Sequence, residues 1–190
     1  MVVLDTRKGE PAGTDVEEKA PVSVRIETTA PLAAAPPVLS DYLSPGRVLI
    51  WDRPVEKDAV LRALAEVAVA GNKELDPGTV FDEIVKREKQ GSTFFNEGVA
   101  LPHARIEKLV QPIIAIGVMR KGISDVSTEK PIEYVFLILS PVETPETQVR
   151  ILGAVSRASR NRQLAGTLAL CRTPADVFTA IRDWETLQRL

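Results

Sequence analysis

The sequence predicts an α/β domain in which helices cover a buried sheet. Two apolar runs rich in β-branched residues, 113–120 and 132–140, are typical of strands buried on both faces. Segments with apolar residues at helical spacing alternate with the predicted strands along the chain. The length of 190 residues suits one domain of ordinary size with an appendage.

The first 38 residues differ in composition from the rest of the chain. They contain five prolines, end in the low-complexity run PLAAAPP and include no aromatic residue. Such a segment buries too little apolar surface to offset its ordering entropy. We therefore predict an extension or linker over 1–38 and a folded domain over 39–188. Alternating Val22, Val24 and Ile26 leave open a short strand there that adds to a sheet edge or to a partner.

The first part of the domain is predicted to hold a short helical turn at LSDYLSP, a strand at 47–51 and two helices. In the first helix, 56–71, apolar residues recur at helical spacing and Gly71 is a suitable C-cap. The second helix begins at Asp76-Pro77, since proline is favoured at the first helical position, and runs to about Glu88.

A glycine-punctuated loop, GSTFFNEG, then leads into a short strand that Pro102 is expected to end, because proline donates no ladder hydrogen bond. After the two buried strands, the pattern predicts three more helices, 145–160, 162–170 and 174–186. Thr173 as N-cap and Pro174 at the first helical position begin the last of them.

Composition excludes several classes of function. Lys+Arg 24 against Asp+Glu 26 gives a net charge of −2, which argues against a general nucleic-acid binder. One cysteine, Cys171, excludes an intramolecular disulfide and a multi-cysteine zinc site, and one histidine excludes histidine-rich metal centres. No apolar run is long enough to cross a bilayer, and no signal peptide is evident. We expect a cytoplasmic protein without metal or cofactor.

The single histidine, His103, is the first candidate for chemistry. It follows Pro102 and is therefore expected at a sheet edge or rim. Arg87 continues the apolar stripe of its helix, where a guanidinium needs a partner such as a bound anion. One imidazole, one guanidinium and the amide-rich loop at Gly91 suit a transient phosphoryl site with a neutral ring nitrogen as nucleophile. A structural histidine and a snorkelling arginine are the alternatives.

The run REKQGSTFFNEGVALPHARIEKL (87–109) resembles the active-site region of EIIA domains of the bacterial phosphotransferase system. The resemblance is to the fructose/mannitol type and its nitrogen-regulatory branch. It extends over about 39–186 and includes LILSPVETPETQVRIL. The resemblance implies a mixed β-sheet flanked by helices on both faces and exchange of phosphate with the histidine-containing phosphocarrier protein.

The resemblance also assigns roles to individual residues. His103 matches the phosphorylated histidine and Arg87 the phosphate-contacting arginine, while Thr93, beside Ser92, falls at the hydroxyl position of the loop. Many members carry a second histidine where this chain has Gln148, which donates hydrogen bonds but carries no proton or charge. We therefore expect Arg87, Ser92, Thr93 and Gln148 to bind phosphate.

Two departures from the family pattern favour regulation over sugar uptake. One is Gln148, and the other is the FFNEG turn, where Phe94 and Phe95 are bulkier than the usual residues and Glu97 brings negative charge near a bound phosphate. The sequence predicts a phosphotransferase-type carrier that uses a phosphohistidine and regulates a transporter or a regulatory protein. The alternatives are a non-catalytic anion- or protein-binding domain, such as the cytosolic tail of a transporter tethered by 1–38, and a sugar-specific EIIA.

Overall fold

A computed structural model describes residues 37–95 and 97–189, all of which belong to one compact unit, Ala35–Leu190. An extension was expected over 1–38. Residues 1–36 of it, including the strand considered at Val22–Ile26, lie outside the described residues. A short 3-10 turn, Leu39–Asp41, lies within the predicted helical turn at 39–45, and a second one, Pro45–Arg47, begins at its last residue.

The described residues form six strands and five helices. The strands are β1 (Val48–Trp51), β2 (Phe94–Phe95), β3 (Val99–Ala100), β4 (His103–Ile106), β5 (Ile113–Met119) and β6 (Tyr134–Pro141). The helices are α1 (Lys57–Val69), α2 (Pro77–Glu88), α3 (Pro145–Ser159), α4 (Arg162–Leu170) and α5 (Pro174–Leu187). None of these helices is both long and apolar enough to span a membrane.

The sheet is mixed, with β5 and β6 at its centre. β5 pairs in parallel with β1 and antiparallel with β6. On its other side, β6 pairs in parallel with β3 and with β4, and β2 pairs antiparallel with β3. Every residue of β5 and β6 is buried, as their continuous apolar sequence predicts.

Helices cover both faces of this sheet, which confirms the predicted fold class. Leu64 of α1 and Ile84 of α2 pack in one apolar core with alternate residues of β6, such as Leu137. Ile151 of α3 and Ile181 of α5 pack in a second core on the opposite face. The alternation of side chains along a strand divides β6 between the two cores.

Pro102 does not end the strand in the way that was expected, which corrects one prediction. β3 stops at Ala100, but a new strand, β4, begins at His103 and continues along the same neighbour, β6. Proline lacks the N–H but keeps the carbonyl, and Pro102 O accepts from Ile138 N at 2.9 Å. His103 therefore lies at the start of a strand beside a break in the ladder.

Candidate functional site

A backbone carbonyl fixes the tautomer of His103. Its Nδ1 lies 2.9 Å from the carbonyl oxygen of Leu101, which can only accept, so Nδ1 carries the proton. Nε2 then bears the lone pair, and the Nε–H of Arg87 donates to it at 3.0 Å. The nitrogen that is free of a proton is thus the one that faces the arginine.

The surroundings keep this imidazole neutral. Burial lowers the pKa of His103 below its ordinary value. The hydrogen bond to Leu101 acts in the opposite direction, while the positive charges of Arg87 and Arg105 lower the pKa further. A neutral imidazole is the nucleophilic form of histidine.

Arg87 reaches His103 from the last turn of α2. Besides the contact with the ring, its Nη1 donates to the carbonyl oxygen of Gly91 at 3.1 Å. Both partners are neutral, so neither contact neutralises the guanidinium. Arg87 and His103, predicted from sequence to act together, are therefore in direct contact, and the arginine offers its positive charge beside the ring.

The two residues open into a cleft of about 420 Å³ between α2, β4 and the start of α3. Gln148 lines it and is buried, with its Oε1 accepting from Arg105 Nε at 3.1 Å. The carboxamide nitrogen is then the end of Gln148 that can donate to an anion. Lys86 and Glu83, which pair with each other at 3.1 Å, also line the cleft. Cationic side chains outnumber the carboxylate.

Comparison with models of known protein families shows which family the chain belongs to. The model of the family described as phosphoenolpyruvate-dependent sugar phosphotransferase system, EIIA 2, matches residues 42–184. The chain belongs to this EIIA family. The match includes His103, Arg87 and Gln148.

Individual relatives of this EIIA domain include both regulatory and sugar-specific proteins. It is 31% identical over 153 residues to a nitrogen regulatory protein of Pseudomonas aeruginosa, covering 80% of this chain and 91% of that protein. It is 29% identical over 112 residues to a fructose-specific EIIA component of Haloferax volcanii, covering 58% of this chain and 73% of that protein.

Solved structures share the fold. IIA-Ntr of Neisseria meningitidis superimposes with a TM-score of 0.67 at 21% identity, covering 76% of this chain and 99% of that chain. The mannitol enzyme IIA of Escherichia coli, in a complex with phosphorylated enzyme IIB, gives 0.58 at 15% identity, covering 74% of this chain and 97% of that chain. These likenesses confirm the mixed sheet flanked by helices.

Ser92 and Thr93 of the EIIA domain do not line the cleft with His103. Both hydroxyls donate to the carboxylate of Glu88, and the backbone N–H of Thr93 donates to the same carboxylate at 3.0 Å. Thr93 is 3% exposed. These two residues hold the loop against the end of α2, and phosphate binding by their side chains stays a prediction.

Glu88, which the sequence analysis did not single out, organises this part of the EIIA domain. Besides the loop, its carboxylate pairs with Lys57 Nζ at 2.7 Å, and Lys57 lies 4.4 Å from the ring centre of Phe94. Burial acts to raise the pKa of Glu88, but hydrogen bonds from Lys57 and Thr93 outweigh it and hold the pKa below its usual range. Its position next to Arg87 in the sequence was the available clue.

Arg105 is the second residue that the sequence analysis missed. It lies two positions after His103 in β4, so both side chains project to the same face of the sheet. There Arg105 lines the cleft and binds Gln148. An arginine two residues beyond a candidate histidine on a strand was the signal in the sequence.

Proposed function

We propose that this EIIA domain carries a phosphoryl group on Nε2 of His103, received from the histidine-containing phosphocarrier protein. The observation that carries the proposal is the hydrogen bond from Nδ1 to the Leu101 carbonyl oxygen, which leaves Nε2 unprotonated. A low pKa keeps this nucleophile available at neutral pH.

The transfer exchanges one phosphorus–nitrogen bond for another. The lone pair of Nε2 attacks phosphorus as the bond to the donor imidazole breaks, and that imidazole keeps the electron pair. Nε2 carries no proton, so none has to be removed from it, and the other ring proton stays on Nδ1, hydrogen-bonded to the carbonyl oxygen of Leu101. The positive charge that develops on the His103 ring lies next to the phosphoryl oxygens, which balance it.

Arg87 has two roles in this step. In the unphosphorylated domain its Nε–H occupies the lone pair of Nε2, so the guanidinium has to move aside before attack. Once displaced, its N–H groups remain close enough to bind phosphoryl oxygens in the forked geometry that arginine favours. Gln148, through its amide nitrogen, and Arg105 also line the cleft and complete the set of donors.

We further propose that the phosphorylated state regulates a transporter or a regulatory protein rather than feeding sugar uptake. The curated relatives named nitrogen regulatory proteins support this role, as does Gln148, which cannot relay a proton or carry charge. Phosphorylation would add about two negative charges in a cleft that now contains Arg87, Arg105 and Lys86. A partner whose binding surface is charged would therefore bind the phosphorylated and the unphosphorylated domain with different affinities.

Incubation with enzyme I, the phosphocarrier protein and phosphoenolpyruvate tests the proposal. We expect acid-labile, alkali-stable phosphate on the wild type, its complete loss in His103→Ala and slower labelling in Arg87→Gln. Arg182→Gln, which removes an exposed arginine of α5, serves as the matched control and should label normally. A wild type that stays unlabelled beside a labelled reference EIIA would overturn the carrier and leave the non-catalytic binding domain.

A further inference from the structure

A second pocket, of about 450 Å³, lies between β2, β3 and the junction of α3 and α4. Among the residues that the structure describes, it shares no lining residue with the His103 cleft. Leu101 lies in its wall, and the same residue's carbonyl oxygen accepts the hydrogen bond from His103. The two sites therefore meet at one stretch of backbone.

Unpaired positive charge distinguishes this pocket. Arg160, Arg162 and Lys130 line it, with Glu97 as the one acidic residue. Within 37–95 and 97–189, no ion pair or hydrogen bond engages the charged group of any of these three side chains. Three cations around one concave space, without internal partners, attract an anion with more than one charge.

Part of the remaining wall is apolar and aromatic, and the polar residues Ser156, Ser159 and Asn161 also line the pocket. Phe95 is 43% exposed, and Val99 and Leu101 form the part of the wall contributed by the sheet side. A large exposed ring beside free guanidinium groups suits a ligand that pairs a flat ring with a charged tail, because the ring stacks on phenylalanine while arginines bind the charge.

We infer that this pocket binds a small polyanion that carries a ring, of the chemical class of nucleoside diphosphates. The phosphates are held by Arg160 and Arg162, with Lys130 near them, and the ring lies against Phe95. The site lies at the opposite end of α3 from the cleft. Ser156 of the pocket and Gln148 of the cleft are eight residues apart on this helix, roughly 12 Å along its axis.

Titration of the unphosphorylated full chain with ADP and with inorganic pyrophosphate, both without metal, tests this inference. We expect calorimetry to show one ADP site, with backbone amide shifts centred on Leu101 and Ala165. Arg160→Gln/Arg162→Gln should weaken ADP binding by about tenfold for each arginine lost. Phe95→Ala should weaken ADP but leave pyrophosphate binding unchanged, because only the ring contact is removed.

Two controls separate this pocket from general charge attraction and from the cleft. Arg157→Gln/Arg182→Gln removes two exposed arginines outside the pocket and should bind ADP as the wild type does. His103→Ala should also retain ADP binding, although it abolishes phosphorylation. The inference is overturned if neither probe binds at millimolar concentration, if the control pair weakens binding as much as the pocket pair, or if Phe95→Ala affects both probes equally.

Discussion

His103 illustrates how one backbone contact selects which ring nitrogen of a histidine carries the proton. The carbonyl oxygen of Leu101 accepts a hydrogen bond from the protonated Nδ1, so the unprotonated Nε2 faces the cleft and Arg87. The contact is local, since the two residues are separated only by Pro102. Because proline restricts the residue before it to extended conformations, Leu101 is held in a backbone geometry that suits this contact.

The acid titration of His103 is the first prediction. Because burial and Arg87 lower its pKa, the ring should titrate below the ordinary value of about 6.5. Arg87→Gln should raise the pKa of His103, since one of the lowering charges is lost. The chain has one histidine, so its ring proton resonance reports the titration unambiguously.

The sign of the accompanying stability change follows by linkage. As the pH falls from about 6.5, the unfolded chain takes up the proton first, so the free energy of unfolding declines until the folded pKa of His103 is reached. A folded pKa at or above that of a free histidine peptide would contradict the geometry described for the ring.

Gln148 gives the second prediction. Gln148→Leu keeps the volume of a buried side chain but removes the amide that faces the cleft. Labelling by the phosphocarrier protein should slow by about tenfold, the effect of one lost hydrogen bond to a charged group. Thermal unfolding should change little, because the partner, Arg105, is exposed and can return to water. Unchanged labelling would remove Gln148 from the proposed phosphate site.

At the scale of single residues, the sequence predicted that His103 and Arg87 lie together because their neighbours impose local geometry. Proline fixes the approach to the histidine, and helical spacing places the arginine on the apolar stripe. Arg105 and Glu88 were missed because their partners, Gln148 and Lys57, are distant in sequence. Such contacts depend on how the strands are ordered, which no local pattern records.

Among elements, the loop after α2 depends on Glu88. One carboxylate oxygen accepts from Lys57 and Ser92, and the other accepts from the N–H and hydroxyl of Thr93. The carbonyl of Gly91 is bound in turn by Arg87. The adjacent residues Arg87 and Glu88 at the end of one helix therefore both hold the loop in place.

The third prediction concerns Glu88→Gln. An NH2 group replaces one carboxylate oxygen and cannot accept a hydrogen bond. Either Ser92 or Thr93 therefore loses its acceptor, and the ion pair with Lys57 is lost. We expect a fall in the free energy of unfolding of about 1–3 kcal/mol, and slower labelling of His103. Urea unfolding near neutral pH measures the first effect, and the transfer assay measures the second.

A matched control, Glu83, lies five residues earlier in the same helix. Glu83→Gln breaks an exposed pair with Lys86 and should change the free energy of unfolding by less than about 0.5 kcal/mol. The pH dependence adds a test of sign. The pKa of Glu88 is lowered in the folded state. Its contribution to the free energy of unfolding is therefore complete at pH values above the ordinary pKa of a glutamate, and it is lost as the pH falls through the folded pKa. A wild type and Glu88→Gln that lose stability in parallel in acid would contradict this.

Helix positions were predicted closely because caps and prolines are local features. α2 and α5 begin at Pro77 and Pro174, behind the side-chain caps Asp76 and Thr173. The strand around His103 was predicted less well, because its pairing continues through the carbonyl of Pro102 rather than an N–H. The sheet order was also beyond reach of the sequence, since mixed pairing around β6 depends on contacts between distant segments.

Over the whole molecule, the two ends of the folded domain are joined by one buried carboxylate. Glu185 of α5 is 7% exposed and accepts from the backbone N–H groups of Leu39 and Ser40 and from the Ser40 hydroxyl. Leu39 itself is 3% exposed in the core against α3 and α5. This clasp supports our proposal that the domain begins near residue 39 and that the preceding segment is an extension.

The last prediction follows from this clasp. Glu185→Ala leaves the buried N–H of Leu39 and the partly buried donors of Ser40 without an acceptor, so the free energy of unfolding should fall by about 1–3 kcal/mol. Asp183→Ala, on an exposed carboxylate of the same helix, should have almost no effect.

Deletion of residues 1–36 should leave the melting temperature within about 2 °C of that of the full chain, because the contacts of Glu185 are retained. Deletion through residue 41 removes those contacts and should destabilise the domain at least as much as Glu185→Ala. Scanning calorimetry of the four variants compares these effects directly. If removing 1–36 costs as much stability as removing the carboxylate, the folded domain begins before residue 39 and the extension is part of its core.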